Sequence, residues 1–161
     1  MLDKKQIISE ILKELKREFA TLAKNAMEAK EAATSEESRA ENKYDTRGLE
    51  ASYLAGAQAK RAQELRQIIT QFEKLQPKTF TETTPIGSTA LVQVRVDDEE
   101  DKWFFMLAQK GGMRVRVGED MVSTLSINSP LGKLLMGKVV GDDFEFSSSG
   151  EPREYVVIQV L

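Results

Sequence analysis

A break in composition near residue 77 constrains this chain more than any other feature. All four Pro and all eleven Val lie at or beyond residue 77, as do eight of the ten Gly. Twelve of the fourteen Ala instead fall between Ala20 and Ala62. Ala favours helix, Val favours strand, and Pro and Gly punctuate turns. Residues 1–76 are therefore expected to be almost wholly helical and residues 77–161 mostly sheet. Charge divides at the same place, with 14 basic and 13 acidic side chains before residue 77 and 9 and 13 from there on.

Within the first half, Ile8, Leu12, Leu15, Phe19, Leu22, Ala26, Ala29 and Ala33 recur at alternating steps of four and three residues. That is a heptad seam sustained for roughly four repeats, the signature of coiled-coil packing. A second helix is expected to start after Thr34 and Ser35 and to run to Leu75, before Pro77. Its seam passes through Ala51, Ala55, Ala62, Leu65, Ile69 and Phe72. Large apolar residues lie early in the first helix and late in the second, so antiparallel pairing matches large with large and small with small. At 1.5 Å per residue the seam spans roughly 40 Å. A plain dimeric coiled coil or bundle hairpin would share this seam, although the Ala-rich distal end is unlike a rod built only for stability.

The second half alternates as strands do over residues 90–96, then carries the acidic run Asp97, Asp98, Glu99, Glu100 and Asp101. That run is read as a solvated hairpin loop. Further strands are expected at 102–109, 113–117, 122–127, 143–147 and 154–160, in a sheet of about five. Ser129 and Pro130 form a helix start, N-cap followed by Pro at the first helical position. The short helix then runs over 131–136 and ends at Gly137.

The chain has no Cys and no His, which removes thiolate and imidazole zinc sites and Cys- or His-dependent nucleophilic catalysis. No apolar run approaches the ~18 residues that span a membrane. The N-terminus turns amphipathic at once, without a signal peptide's apolar core. A net charge of −3 argues against general electrostatic binding of nucleic acid. The expectation is a cytoplasmic protein. Chemistry concentrates at the hairpin tip, residues 34–47, where Glu36, Glu37, Glu41 and Asp45 mingle with Arg39, Lys43 and Arg47. Oxygen ligands of this kind suit Mg²⁺; a solubilising turn would use the same residues. Tyr44 and Tyr53 are expected to staple the tip across the hairpin.

The string Asn128, Ser129, Pro130, Leu131, Gly132, Lys133, Leu134, Leu135, Met136, Gly137, Lys138, followed by Val139, Val140, Gly141 and Asp142, resembles the C-terminal domain of Gre-type bacterial transcript cleavage factors. The resemblance implies an α+β chain: an antiparallel coiled-coil domain over 1–76 and an FKBP-like domain over 77–161. It further implies docking on bacterial RNA polymerase at the rim of its secondary channel, through Asn128, Ser129, Pro130 and Leu131. The coiled coil then enters the channel, where tip carboxylates help hold the polymerase's second Mg²⁺ against backtracked RNA. Glu37 and Glu41 are the metal-proximal candidates, with Asp45 beside them. The polymerase would be the enzyme, and this chain, a monomer with no stably bound cofactor, would meet the RNA 3′ end only indirectly.

Cleavage factors of this family usually carry an Asp, two intervening residues, then Glu-Asn, shortly followed by an acidic residue and Tyr. Aligned without gaps through Tyr44, Tyr53 and Gly56, Glu37 takes the Asp position and Ala40 the Glu position, one residue before Glu41. Alternatives therefore stand beside cleavage: a secondary-channel regulator that does not cleave, a peptidyl-prolyl isomerase or chaperone with Trp103, Phe104 and Phe105 lining its pocket, or an interaction module.

Overall fold

The structure, a computed structural model, describes residues 2–35 and 39–161. Two long helices, α1 (Lys4–Thr34) and α2 (Arg47–Glu73), precede six strands: β1 (Leu91–Val96), β2 (Glu100–Leu107), β3 (Arg114–Val117), β4 (Asp120–Ser126), β5 (Asp143–Phe146) and β6 (Arg153–Val160). A short helix, α3 (Pro130–Leu135), lies between β4 and β5. The α+β expectation holds, and each of the six expected strand segments forms a strand of the sheet, against the total of about five. The chain divides into two compact units, Leu12–Leu75 and a second made of Met1–Ile11 with Gln76–Leu161.

In the helical unit, the amine of Lys16, in the first half of α1, lies 2.8 Å from the carboxylate of Glu73, the last residue of α2. That pairing is the antiparallel one. Every seam position expected in α1 is at least partly buried, and so are Ala51, Ala55, Ala62, Leu65, Ile69 and Phe72 in α2. The α2 seam also passes through Gln58, whose Oε1 is buried with no hydrogen-bond partner among the described residues. The second helix starts at Arg47 rather than directly after Ser35, because side-chain acceptors divert the backbone at the tip, as described below.

In the second unit, all six strands form one sheet in the order β3-β4-β2-β1-β6-β5. All pairs are antiparallel except β2 with β4. Alternation along β1 and β2 divides the buried residues between two faces. Val92, Val94, Val96 and Met106 join Tyr155, Val157 and Leu135 of α3 in one core, with Ile127 and Leu131 packed against it. Leu91 and Phe105, directly paired across β1 and β2, point to the opposite face and are fully buried.

The first eleven residues group with this sheet rather than with the hairpin, which moves them out of the 1–76 domain expected from composition. Ile7 and Ile11 are wholly buried, and the Lys4 ammonium donates to the carbonyls of Lys78 and Thr89 while lying 4.9 Å from the centre of the Phe80 ring. Thr89 is the junction of this arrangement. Its N–H donates to Met106 O at 2.7 Å, its hydroxyl accepts from the Lys78 N–H at 2.9 Å, and its φ is +71°. A β-branched residue in that region is strained, so these bonds hold it there.

The acidic run is not all loop. Glu99 N–H closes a turn onto Val96 O, with Asp97 and Asp98 both at positive φ (51° and 58°), the twist that suits a tight hairpin and that Asp tolerates. Glu100 and Asp101 already belong to β2, because Asp101 stands opposite Arg95 on β1.

Candidate functional site

The tip of the helical unit is shaped by side-chain oxygens that take backbone N–H groups away from a helical ladder. Asn42 Oδ1 accepts from the Tyr44 N–H at 2.8 Å, and Asn42 O accepts from the Asp45 N–H at 3.1 Å. The Asp45 carboxylate then gathers the turn. Its Oδ1 accepts from the Arg47 N–H at 3.2 Å and from Arg47 Nε at 3.1 Å. Its Oδ2 accepts from the Glu41 N–H at 3.2 Å and from an Arg47 terminal nitrogen at 2.9 Å. The guanidinium, together with these N–H donors, holds the Asp45 carboxyl well below the usual carboxylate range. Glu41 lies 3.6 Å from the same guanidinium and its side chain is otherwise largely exposed. Thr46 closes the turn by donating its hydroxyl to Glu50 at 2.7 Å.

Of the three carboxylates expected at this site, Glu41 and Asp45 are thus brought together, by Arg47. Glu37 lies outside the described residues. No group of three or more metal-ligating side chains occurs among the described residues. The tyrosines do not staple the hairpin: Tyr44 is 79% exposed and Tyr53 73%. Lys43 lies over the Tyr44 ring at 4.9 Å instead, and Leu49 and Leu54 add further exposed apolar surface nearby in sequence.

The second candidate region is the turn into α3. Ser129 Oγ accepts from the Gly132 N–H at 3.1 Å, the N-cap expected from sequence, and donates to Ser126 O at 2.7 Å. Ser126 O also accepts from the Ser129 N–H at 3.0 Å, and Ser126 Oγ from the Asn128 N–H at 3.2 Å. Two glycines make room for this knot. A Cβ on Gly132 would sit 2.0 Å from Ser126 O, and one on Gly111 would sit 2.6 Å from Ser126 N. Asn128 and Pro130 are consequently presented outward, whereas Ser129 and Leu131 are partly buried. Leu134 and Met136 are exposed beside them. Sequence reasoning passed over these two, although Leu134 follows Pro130 by one helical turn, a spacing that marks a shared face.

Elsewhere Asp97 and Asp101 of the acidic run have Arg partners of their own. Arg95 grips Asp101 with two bonds of 2.8 and 3.1 Å. Arg153 grips Asp97, whose other oxygen accepts from the Glu154 N–H. A hollow of about 310 Å³ is lined by Trp103, Arg114, Met121 and Ser123 among others. Phe105 is not among its lining residues: its side chain is sealed in the core, which removes one of the three aromatics on which an isomerase pocket was to rest.

Comparison with known proteins places these features in company. The family described as transcription elongation factor, GreA/GreB, C-terminal, matches residues 82–161. Transcription elongation factor GreA of Thermotoga neapolitana is 26% identical over 150 residues, covering 92% of this chain and 87% of that protein. Among solved structures, the GreA factor homolog Gfh1 of Thermus thermophilus is 21% identical, covers 93% of this chain and 94% of its own, and superposes with a TM-score of 0.39. Gfh1 of Thermus aquaticus gives 19% identity, 92% of each chain and a TM-score of 0.40.

Proposed function

The chain belongs to the Gre-type transcription elongation factor family, and from that premise we propose that it binds bacterial RNA polymerase at the secondary channel and regulates elongation there without supplying the metal ligands for transcript cleavage. Docking falls to the turn of Asn128, Ser129, Pro130 and Leu131, extended by Leu134 and Met136. Its outward Asn128 and Pro130 offer an amide and a rigid apolar ring, while Ser129 and Gly132 hold the backbone that carries them. The helical hairpin is the part that enters the channel, and the polymerase remains the enzyme.

One observation carries the non-cleaving form of this reading. An ionised carboxylate offers about four lone-pair sites, and Asp45 uses four, all on donors of its own tip. Asp45 therefore has no acceptor position left for a Mg²⁺ ion, and Glu41 alone, its carboxylate 3.6 Å from Arg47, does not make up a Mg²⁺ ligand set. A second reading, in which Glu37, Glu41 and Asp45 serve the metal, requires Arg47 to release Asp45 first.

The test is affinity purification of the full chain with bacterial RNA polymerase, followed by incubation with stalled elongation complexes. Co-purification that falls about tenfold on Asn128→Ala with Pro130→Ala, a loss of ~1.4 kcal/mol, supports docking through the turn. RNA that keeps its length supports non-cleaving regulation. Failure of the unaltered chain to bind polymerase overturns the proposal, and Mg²⁺-dependent RNA shortening by it overturns the non-cleaving form.

A further inference from the structure

Resting on the reading just given, we infer that Arg47 is the tip's built-in counter-cation: it occupies the charge position a divalent metal would take between Asp45 and Glu41, and so determines that the chain regulates without cleaving. The geometry is specific to a guanidinium. Two of its nitrogens meet the two oxygens of Asp45 at 3.1 and 2.9 Å, the forked contact that a lysine ammonium cannot reproduce. The second carboxylate, Glu41, approaches the same group at 3.6 Å. Backbone N–H groups of Glu41 and Arg47 fill the two remaining acceptor positions, and the Asp45 side chain is left only 10% exposed. A metal would have to displace both the fork and these N–H donors.

The same forked grip recurs at Arg95–Asp101 on the sheet, and Arg153 meets Asp97 through a single bond. Those two pairs join neighbouring strands or a turn to a strand. At the tip, by contrast, the pair is separated by a single residue and closes a loop that presents charge to a partner. Arg47 is thus a positioning and specificity-determining residue rather than a catalytic one.

The experiment uses the full chain and Mn²⁺ as the probe, with binding read by electron paramagnetic resonance of the free ion. Removing one positive charge a few ångströms from a divalent ion is expected to tighten Mn²⁺ binding by about tenfold in Arg47→Gln. The double variant Asp45→Asn with Arg47→Gln is expected to return to the affinity of the unaltered chain. In stalled elongation complexes, Arg47→Gln is expected to raise RNA shortening by about tenfold with polymerase affinity unchanged. Unchanged Mn²⁺ affinity, or a gain that survives loss of Asp45, overturns the counter-cation. A Mn²⁺ gain without RNA shortening, on polymerase that binds normally, overturns its control of output. If no variant binds polymerase, the proposed function fails while the Mn²⁺ result still decides the counter-cation. Should Arg47→Gln unfold by circular dichroism, Arg47→Lys takes its place, because it keeps the charge but loses the fork. A gain of about threefold then supports the inference, and none overturns it.

Discussion

At the scale of single residues, the carboxylates matter by where their partners leave them. Asp45, Asp97 and Asp101 are each held below the ordinary aspartate range, first of all by a hydrogen-bonded Arg. For a group whose native pKa is depressed, the stabilisation is fully present above the unfolded value of about 3.9 and disappears as pH falls through the native one. A carboxyl ¹³C titration is therefore expected to find all three still ionised at a pH where exposed aspartates are protonated. The Glu41 and Arg47 amides should keep their chemical shifts until Asp45 itself titrates. Normal titration of Asp45 in the intact chain would remove the four-donor geometry. Gly132 carries a different kind of demand. Its missing Cβ is what lets Ser126 O sit where it does, so Gly132→Ala is expected to cost roughly 2–4 kcal/mol by overpacking against backbone. Denaturant unfolding measures the loss, and an unchanged midpoint would contradict the clash. Neither glycine's role is legible in the sequence, since Gly111 and Ser126 meet only once β4 has paired.

At the scale of elements, the seam was legible because it is a local periodicity. All eight α1 positions from Ile8 to Ala33 are at least partly buried. The α2 seam was legible except at Gln58, which breaks the apolar pattern yet holds a seam position. A buried acceptor without a partner costs on the order of 1–3 kcal/mol, so Gln58→Leu is expected to stabilise the helical unit by about 1 kcal/mol. Thermal unfolding followed at 222 nm tests this, and a fall in Tm would show that the amide is satisfied. The start of α2 was not legible. It is set by Asn42 and Asp45 turning their oxygens onto backbone N–H groups, a choice that helix propensity does not register. The same is true of Arg47: composition places acids and bases at the tip but does not say which of them pair.

At the scale of the whole molecule, the composition break near residue 77 located the sheet but misassigned the first eleven residues. A signal was available. Ile7 and Ile11, four residues apart and off the heptad seam, are wholly buried, so α1 begins with a wider apolar face than a two-helix seam needs. The fragment 77–161 is accordingly expected to fold poorly by itself. Restoring residues 1–11 as a peptide should slow its amide exchange, and a fully protected fragment without the peptide would contradict the assignment. The candidate docking turn was legible as a motif. Its exposed neighbours Leu134 and Met136 were not singled out, because an apolar residue in a six-residue helix reads as core until the fold decides its face.

The sheet order has a consequence for how such a chain comes off the ribosome. Strand β1 is flanked by β2 on one side and β6 on the other, and Leu91 exchanges backbone hydrogen bonds with Leu161. During synthesis β1 must wait with one edge bare until β6 emerges, a long-range pairing of the slow kind. Residues 1–11 belong to the same unit as β6, so they are made well before the strands they join, while α1 and α2 can already pair. A nascent chain stalled before β6 should offer chaperones both its open strand and the side chains of Ile7 and Ile11.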